Sequence, residues 1–458
     1  YSAGAVTGGG LAGESTGTVI SSFWDIETSG VTESDGGMGV TTAELRSAAT
    51  FLGWGCDPVW TIDEGHDYPR LLWEGAAAAL IEGCTLWQGT GIESDPYLIH
   101  TPEELYAIGL LPSSWDKHFR LMADIDLREF AADQINPIGN SLFPFTGVFE
   151  GDGHTISNLR LSRTKANRVG LFGYVSDPNA EIRNLGLVDP NITVGGSSET
   201  GTLAGQVLNG TISNCYVRGG HLSAGSTVGG LVGSFGKGTI SNCYVTDSRV
   251  SGESTVGGLV GSGPSGGAIV ACSVENTHVL ARGEHSALVG GLTAYHRGGA
   301  MESCHVMGGS VSGSTCGGLV GSLLSLYSSA SGTVSECSSA TEVIGRGGFL
   351  LFDGSTVGGL IASSNGTVTA CCSHSSVHVK DVSSPWTLQV GGLVGDNDGL
   401  IENCYATGAV VGTHEGFILT YPTGVGGLTG TSYGTIRNCY ATGTVTATVE
   451  MGGLAGAV

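Results

Sequence analysis

The 458-residue chain predicts an all-β fold, a parallel β-helix (β-solenoid) with about three short strands per rung and minor short helices in the non-repeat segments. Three observations predict it. Glycine is abundant, 80 residues against 18 Lys and Arg, which requires many turns and leaves little room for long helices. A Gly followed five positions later by Cys recurs in eight segments: Gly210/Cys215, Gly238/Cys243, Gly267/Cys272, Gly299/Cys304, Gly332/Cys337, Gly366/Cys371, Gly399/Cys404 and Gly434/Cys439. Between them a second string, Gly-Gly-Leu-x-small, begins at Gly229, Gly257, Gly290, Gly317, Gly358, Gly391, Gly426 and Gly452.

Successive starts of the second string lie 28, 33, 27, 41, 33, 35 and 26 residues apart. Fixed strings at uneven spacing mean fixed strands joined by loops that absorb insertions. Within each copy, the residue two after the Gly is always apolar (Ile212, Ile240, Ile269, Met301, Val334, Val368, Ile401, Ile436), so it faces the core. The residue after the Cys varies freely (Tyr216, Tyr244, Ser273, His305, Ser338, Cys372, Tyr405, Tyr440), so it faces out. Neighbours on a strand alternate faces, which turns the Cys inward. Parity changes between the apolar residue and the Cys. The strand must therefore bend near the Asn that precedes Cys in four copies (Asn214, Asn242, Asn403, Asn438), since Asn tolerates the left-handed conformation. No copy carries a helix-length 3.6-residue period, which disfavours leucine-rich and ankyrin repeats. In a β-helix like residues stack rung on rung about 4.8 Å apart, and a small, soft Cys fits the same narrow internal slot each time.

The strings "GGLVGSFGKGTISNCYVTDSRV" (Gly229 to Val250) and "GGLVGDNDGLIENCYATGAV" (Gly391 to Val410) resemble the GLUG repeat, found in large bacterial surface proteins, adhesin-like proteins and the non-catalytic part of IgA-specific metallopeptidases. The resemblance runs continuously from about Gly201 to Val458 and returns near the N-terminus. It implies β-helical architecture without one activity.

Four segments follow. Residues 1–74 read as the end of a repeat array plus a closing segment, because "GGLAG" at Gly9 to Gly13 begins a further copy, with Ser22 at its Cys position. The stretch from "SFWDIETSG" to "YPRLLWEG" resembles the segment that closes GLUG arrays. Residues 75–120 form a linker and lead-in with a short helix, in which Thr101 is N-cap, Pro102 is N1 and Glu104 is N3. Residues 121–200 supply the first rungs, and residues 201–458 form an open-ended repeat array. An open β-helix end exposes a strand edge and a core. Tyr1, Gly9, Gly10 and Leu11 are therefore expected to contact Gly452, Gly453, Leu454 and Val458 of a second copy, a head-to-tail contact that builds a filament. The alternative is a window from one giant surface protein.

A net charge of −23 argues against nucleic-acid partners. The longest apolar run, Met451 to Val458, is too short for a membrane span. Asn191, Asn209 and Asn365 begin sequons and are candidate sites for covalent glycans. The eight repeat cysteines form a core ladder, whereas Cys56 and Cys84 lie outside it and are a candidate disulfide. "CCSHSSVH" (Cys371 to His378) has zinc-type residues, but its two thiols point to opposite faces. "DIETSGVTESDGG" and "LMADIDL" lack calcium-loop spacing and read as solvated acidic loops. His-Glu-x-x-His is absent, and His296 and His414 stand beside no nucleophile. No cofactor, metal or catalytic residue is expected. The outward tyrosines would form interrupted aromatic ladders. The reading is an extracellular structural subunit of a surface fibre. The alternatives are a segment of a large adhesin binding glycans or matrix, and a polysaccharide lyase or hydrolase on a β-helix.

Overall fold

The computed structural model describes residues 11, 22–31, 34, 37–54, 60–75, 78–81, 87–132, 134–164, 166–196, 199–283, 287–324, 332–346, 354–382, 387–414 and 423–457. Two compact units result, 1–118 and 119–458. In the first, Phe23–Asp25 pairs in parallel with Met38–Val40, and Trp60–Ile62 pairs antiparallel with Arg70–Leu71 and with Ala79–Leu80. Val40, Leu45, Phe51, Ile62 and Ile81 form its core. The helix Pro102–Leu110 starts at a reciprocal cap, in which the Glu104 amide donates to Thr101 Oγ1 and the Thr101 amide donates to the Glu104 carboxylate, both at 3.2 Å. That is the helix start predicted from the Thr-Pro-x-Glu order.

The second unit is a parallel β-solenoid with three faces. One turn runs through Val232–Phe235 and Thr239–Ser241 on the first face, Tyr244–Thr246 and Arg249–Gly252 on the second, and Thr255–Gly257 on the third. Each strand pairs in parallel with its counterpart one turn on, as in Val232 with Val260, Tyr244 with Ser273 and Thr255 with Leu288. The third face is a nine-stranded sheet from Glu199–Gly201 to Met451–Gly452. Three faces agree with three strands per rung, except that two of them are bent in the middle. On the second face the bend is made by residues at positive φ, among them Asp189, Gly219, Asp247, Asn276 and Gly308, types that accept this conformation at little cost.

The uneven repeat spacing is taken up at two places in the turn. Residues 325–331 separate the paired strands of the first face, whereas 284–286, 347–353, 383–386 and 415–422 all fall between the second and third faces. The structure of these segments lies outside the described residues. The first turns are filled by Phe119, Phe145, Phe149 and Phe172, with Phe172 5.0 Å from Phe145 and 5.4 Å from Phe149 between ring centroids.

The Gly-Gly-Leu string makes the corner between the third and first faces, and it does so by backbone contact. A Cβ on Gly230 would lie 2.0 Å from the carbonyl oxygen of Gly258 one turn on. The same holds for Gly258 against Gly291 and Gly291 against Gly318, each at 2.0 Å, and for Gly392 against Gly427 at 2.1 Å. No side chain fits between these turns. The Leu that follows turns into the core, and its carbonyl accepts two amides from the preceding turn. Leu231 and Val232 donate to Leu259 O at 2.9 and 3.0 Å, and Leu428 and Thr429 donate to Leu454 O at 2.9 and 3.0 Å. The backbone bends so sharply here that two consecutive N–H groups converge on one acceptor, which leaves neither donor orphaned.

Several polar residues interrupt the apolar core, among them Thr293, Asn397 and His296. His296 is fully buried; its Nε2 faces Gly299 O at 3.2 Å and its Nδ1 has no partner. Burial pulls its pKa from 6.5 down to about 4, because a charged imidazole would lose its hydration.

Two predictions follow from this packing. Gly291→Ala should cost on the order of 3 kcal/mol, since the new methyl meets backbone, whereas Gly453→Ala, where nothing lies within 4 Å, should be close to neutral; urea midpoints of the two variants check the contrast. For His296, the folded state keeps the imidazole neutral while the unfolded chain takes up a proton below pH 6.5. Its contribution is therefore intact above that pH and is lost as pH falls towards 4, by up to about 3 kcal/mol. His296→Leu should flatten the fall in stability between pH 7 and pH 4 measured by denaturant titration.

Candidate functional site

The corner between the first and second faces carries the Gly-x-x-x-x-Cys string. The residue before each Cys adopts positive φ in all eight copies: Asn214, Asn242, Ala271, Ser303, Glu336, Ala370, Asn403 and Asn438 lie between 51° and 56°. Four of the eight are Asn, and the side chains of successive Asn turns hydrogen-bond, Asn214 Nδ2 donating to Asn184 Oδ1 at 2.9 Å and Asn438 Nδ2 to Asn403 Oδ1 at 3.1 Å. Of the other four, Ser303 Oγ donates to Glu336 Oε2 of the next turn at 3.3 Å, whereas Ala271 and Ala370 have no side-chain hydrogen bond to offer and take the conformation that the tight corner imposes.

At this corner the backbone donors split. The amide before the Cys donates to the following turn, as Asn214 to Ser241 O, and the amide after it donates to the preceding turn, as Tyr244 to Cys215 O. The Cys amide between them points at a thiol: Cys215 N–H donates to Cys243 Sγ, Cys304 to Cys337, Cys371 to Cys404 and Cys404 to Cys439, each at 3.4 Å. Each thiol also faces carbonyls on two turns, as Cys304 Sγ does Glu302 O at 3.3 Å and Ile269 O at 3.5 Å. The slot therefore selects for more than small size. It needs a soft atom that accepts a weak hydrogen bond from a corner amide and donates one to a carbonyl.

Cys215, Cys243, Cys272, Cys304, Cys337, Cys371 and Cys404 are buried and Cys439, in the last turn, is half-buried; all eight are free thiols. Burial pushes the Cys243 thiol well up, and the neighbouring thiol together with burial carries Cys272 and Cys304 to about 12. These three are protonated at neutral pH and unreactive as nucleophiles. Cys316, which replaces the usual Val on the third face, is likewise buried and pushed up to about 12. Cys56 and Cys84 lie outside the described residues, as do Tyr1, Gly9, Gly10 and Val458.

On the outer side of the corner, Tyr216 stacks on Tyr244 at 4.8 Å and 2°, and Tyr405 on Tyr440 at 5.0 Å and 3°. The Tyr216 ring also lies over Gly186, where a Cβ would approach its Cζ to 2.4 Å. Both faces of the Tyr216 ring are thus taken up within the protein, whereas Tyr244 remains exposed. In "CCSHSSVH", Cys371 is buried, Cys372 half-buried and His374 exposed, with His374 Nδ1 2.7 Å from Thr407 Oγ1. In the acidic stretches, Asp25 caps the helix Ile26–Ser29 and accepts from Thr42 Oγ1 and Tyr68 Oη at 2.7 and 2.9 Å. Asp124 accepts from the Thr155 amide at 2.8 Å and Asp126 from Asn158 Nδ2 at 2.7 Å. These carboxylates are engaged by protein donors. Among the described residues, no cluster of three or more His, Cys, Asp or Glu side chains is placed to hold a metal ion. Of the sequon residues, Asn191 and Asn365 are exposed and Asn209 half-buried.

With one turn of this geometry defined, family comparison is direct. The GLUG motif matches residues 224–251, 387–411 and 421–446, and the first of these segments runs once round the solenoid. The chain carries GLUG repeats. Similar curated proteins include halomucin of Haloquadratum walsbyi, 39% identical over 140 residues, which is 30% of this chain and 2% of that protein. A "Putative Gly-rich membrane protein" of Evansella cellulosilytica is 35% identical over 134 residues, 28% of this chain and 15% of that protein. The matches thus span only a small part of either relative. Among solved structures, a "putative immunoglobulin A1 protease from Bacteroides ovatus" aligns over 79% of this chain and 87% of its own at 19% identity and a TM-score of 0.40. An "IgA1 Protease" aligns over 64% and 23% at 18% identity and a TM-score of 0.41.

The left-handed corner of the GLUG turn makes a specific prediction. Ala370, exposed at φ 52° and one turn before Asn403, carries strain that Asn relieves. Ala370→Asn should therefore stabilise the protein by about 1 kcal/mol, read as a raised urea midpoint with unchanged slope.

Proposed function

We propose that the chain is a non-catalytic, extracellular β-solenoid of a cell-surface protein, a stiff element whose length is set by the number of stacked GLUG turns. The observation that carries this reading is the pair of backbone ladders, Gly-Gly-Leu at one corner and Asn-Cys at another, which spend the repeated residues on architecture. The names of the relatives, a mucin and a membrane protein, support placement at a surface, and the engaged carboxylates and the protonated thiols of Cys243, Cys272 and Cys304 favour a structural role over a lyase or hydrolase. Asn191, Asn209 and Asn365 are the proposed sites for covalent glycans.

A second reading is assembly of copies into a fibre through the same backbone ladders that join turns within the chain. Negative-stain electron microscopy of the purified chain, with light scattering for mass, tests both. Rods one copy long at all concentrations uphold the surface element and end the fibre reading; filaments that lengthen with concentration, at a repeat of several nanometres, establish the fibre. Compact particles without rod shape would overturn both.

A further inference from the structure

The second face carries a feature that rung stacking does not require. Strand register aligns His221, Arg249 and His278 in one outward column over three turns, and Tyr216 with Tyr244 and Arg218 with Thr246 in two others beside it. From the end of the His278 strand, Arg282 reaches back across two turns and donates to Ala224 O at 2.8 Å. Arg218, Arg249 and Arg282 are all exposed, and none has a carboxylate within ion-pair distance among the described residues. Arg70, Arg128, Arg183 and Arg437 are each paired with Asp or Glu, and others, such as Arg168 and Arg297, lie over tyrosine rings instead. In a chain of 41 acidic and 18 basic residues, three exposed arginines on three successive turns make a locally positive patch. Asp189, Asp247 and Glu275 border the patch without closing on it. Partial burial, followed by the Arg249 and Arg282 charges, holds His221 below its ordinary pKa.

We propose that Arg218, Arg249 and Arg282, with His221 as a hydrogen-bonding neighbour, form a binding patch for an anionic polysaccharide bearing carboxylate or sulfate groups, laid across three successive turns. The three arginines come one from each of these turns, which are about 4.8 Å apart, and are staggered across the face, so a polyanion crossing the turns meets all three. Guanidinium groups bind both anions through paired N–H donors, and the Tyr216 and Tyr244 hydroxyls flank the patch as partners for sugar hydroxyls. One face of three short turns falls well below the roughly 800 Å² per partner that a stable protein interface buries, which favours a narrow linear ligand over a folded protein.

The test is affinity electrophoresis and calorimetry of the full chain with polygalacturonate, dextran sulfate and neutral dextran. The wild type should bind at least one of the two polyanions, and which one it binds identifies the anion; neutral dextran should not bind. The affinity should weaken with salt and drop about tenfold or more in the triple variant Arg218→Gln/Arg249→Gln/Arg282→Gln, while Lys237→Gln, an exposed cation on the first face, should leave it unchanged. A circular-dichroism melt of the triple variant matching wild type excludes misfolding as the cause; if it does not match, the single variant Arg218→Gln, whose side chain makes no hydrogen bond among the described residues, is read instead. Absence of binding to both polyanions, or binding insensitive to the arginines, overturns the proposal. So does arginine-dependent self-association of the chain without polyanion, which would make the acidic surface of a second copy the partner.

Discussion

Backbone-to-backbone contact at the Gly-Gly-Leu corner governs the solenoid. With a carbonyl oxygen of the next turn about 2 Å from where a Cβ would stand, turns approach as closely there as strands can, and the parallel register of all three faces is set from that edge. The Leu that follows reads the register twice, once through its buried side chain and once through a carbonyl that takes two amides. Cross-turn register and inward orientation are fixed together, so a turn cannot slip by one residue without placing a side chain where only hydrogen fits.

The Asn-Cys corner solves a different problem, a strand that must reverse its inward and outward sides within five residues. A left-handed residue supplies the change of parity, and the thiol settles the amide that the bend leaves facing inward. Conformational strain and hydrogen-bond satisfaction are thus handled by adjacent residues. This explains why the Cys persists in copies where the Asn does not: Ala271, Ser303, Glu336 and Ala370 carry strain of the order of 1 to 2 kcal/mol each, whereas an unpartnered buried amide with no soft acceptor costs as much and also loosens the corner.

Much of this was legible in the sequence because copies of one turn sit in register within a single chain, so each repeat position is sampled eight times. Inward Ile and Cys, outward Tyr, the bend at Asn and the capped helix at Thr101 all follow from that comparison or from local capping chemistry. What the sequence hides is contact between turns. The split of two faces into paired strands depends on residues such as Asp247 and Gly308, whose identity varies from copy to copy. The role of the thiols lies in distances of 3.4 Å across turns, and the arginine patch arises because residues 58 positions apart, Ala224 and Arg282, meet on one edge.

Every hydrogen bond between turns runs along the axis of the rod, while the covalent chain passes from turn to turn in series. A pull on the two ends therefore opens one turn at a time from an end inward. The turn from Gly290 to Gly317 holds 27 residues and contributes only about 4.8 Å of height when folded. Stretched, it yields at most roughly 90 to 100 Å. Stiff in compression, such a solenoid becomes extensible under tension, giving up length in discrete steps of one turn.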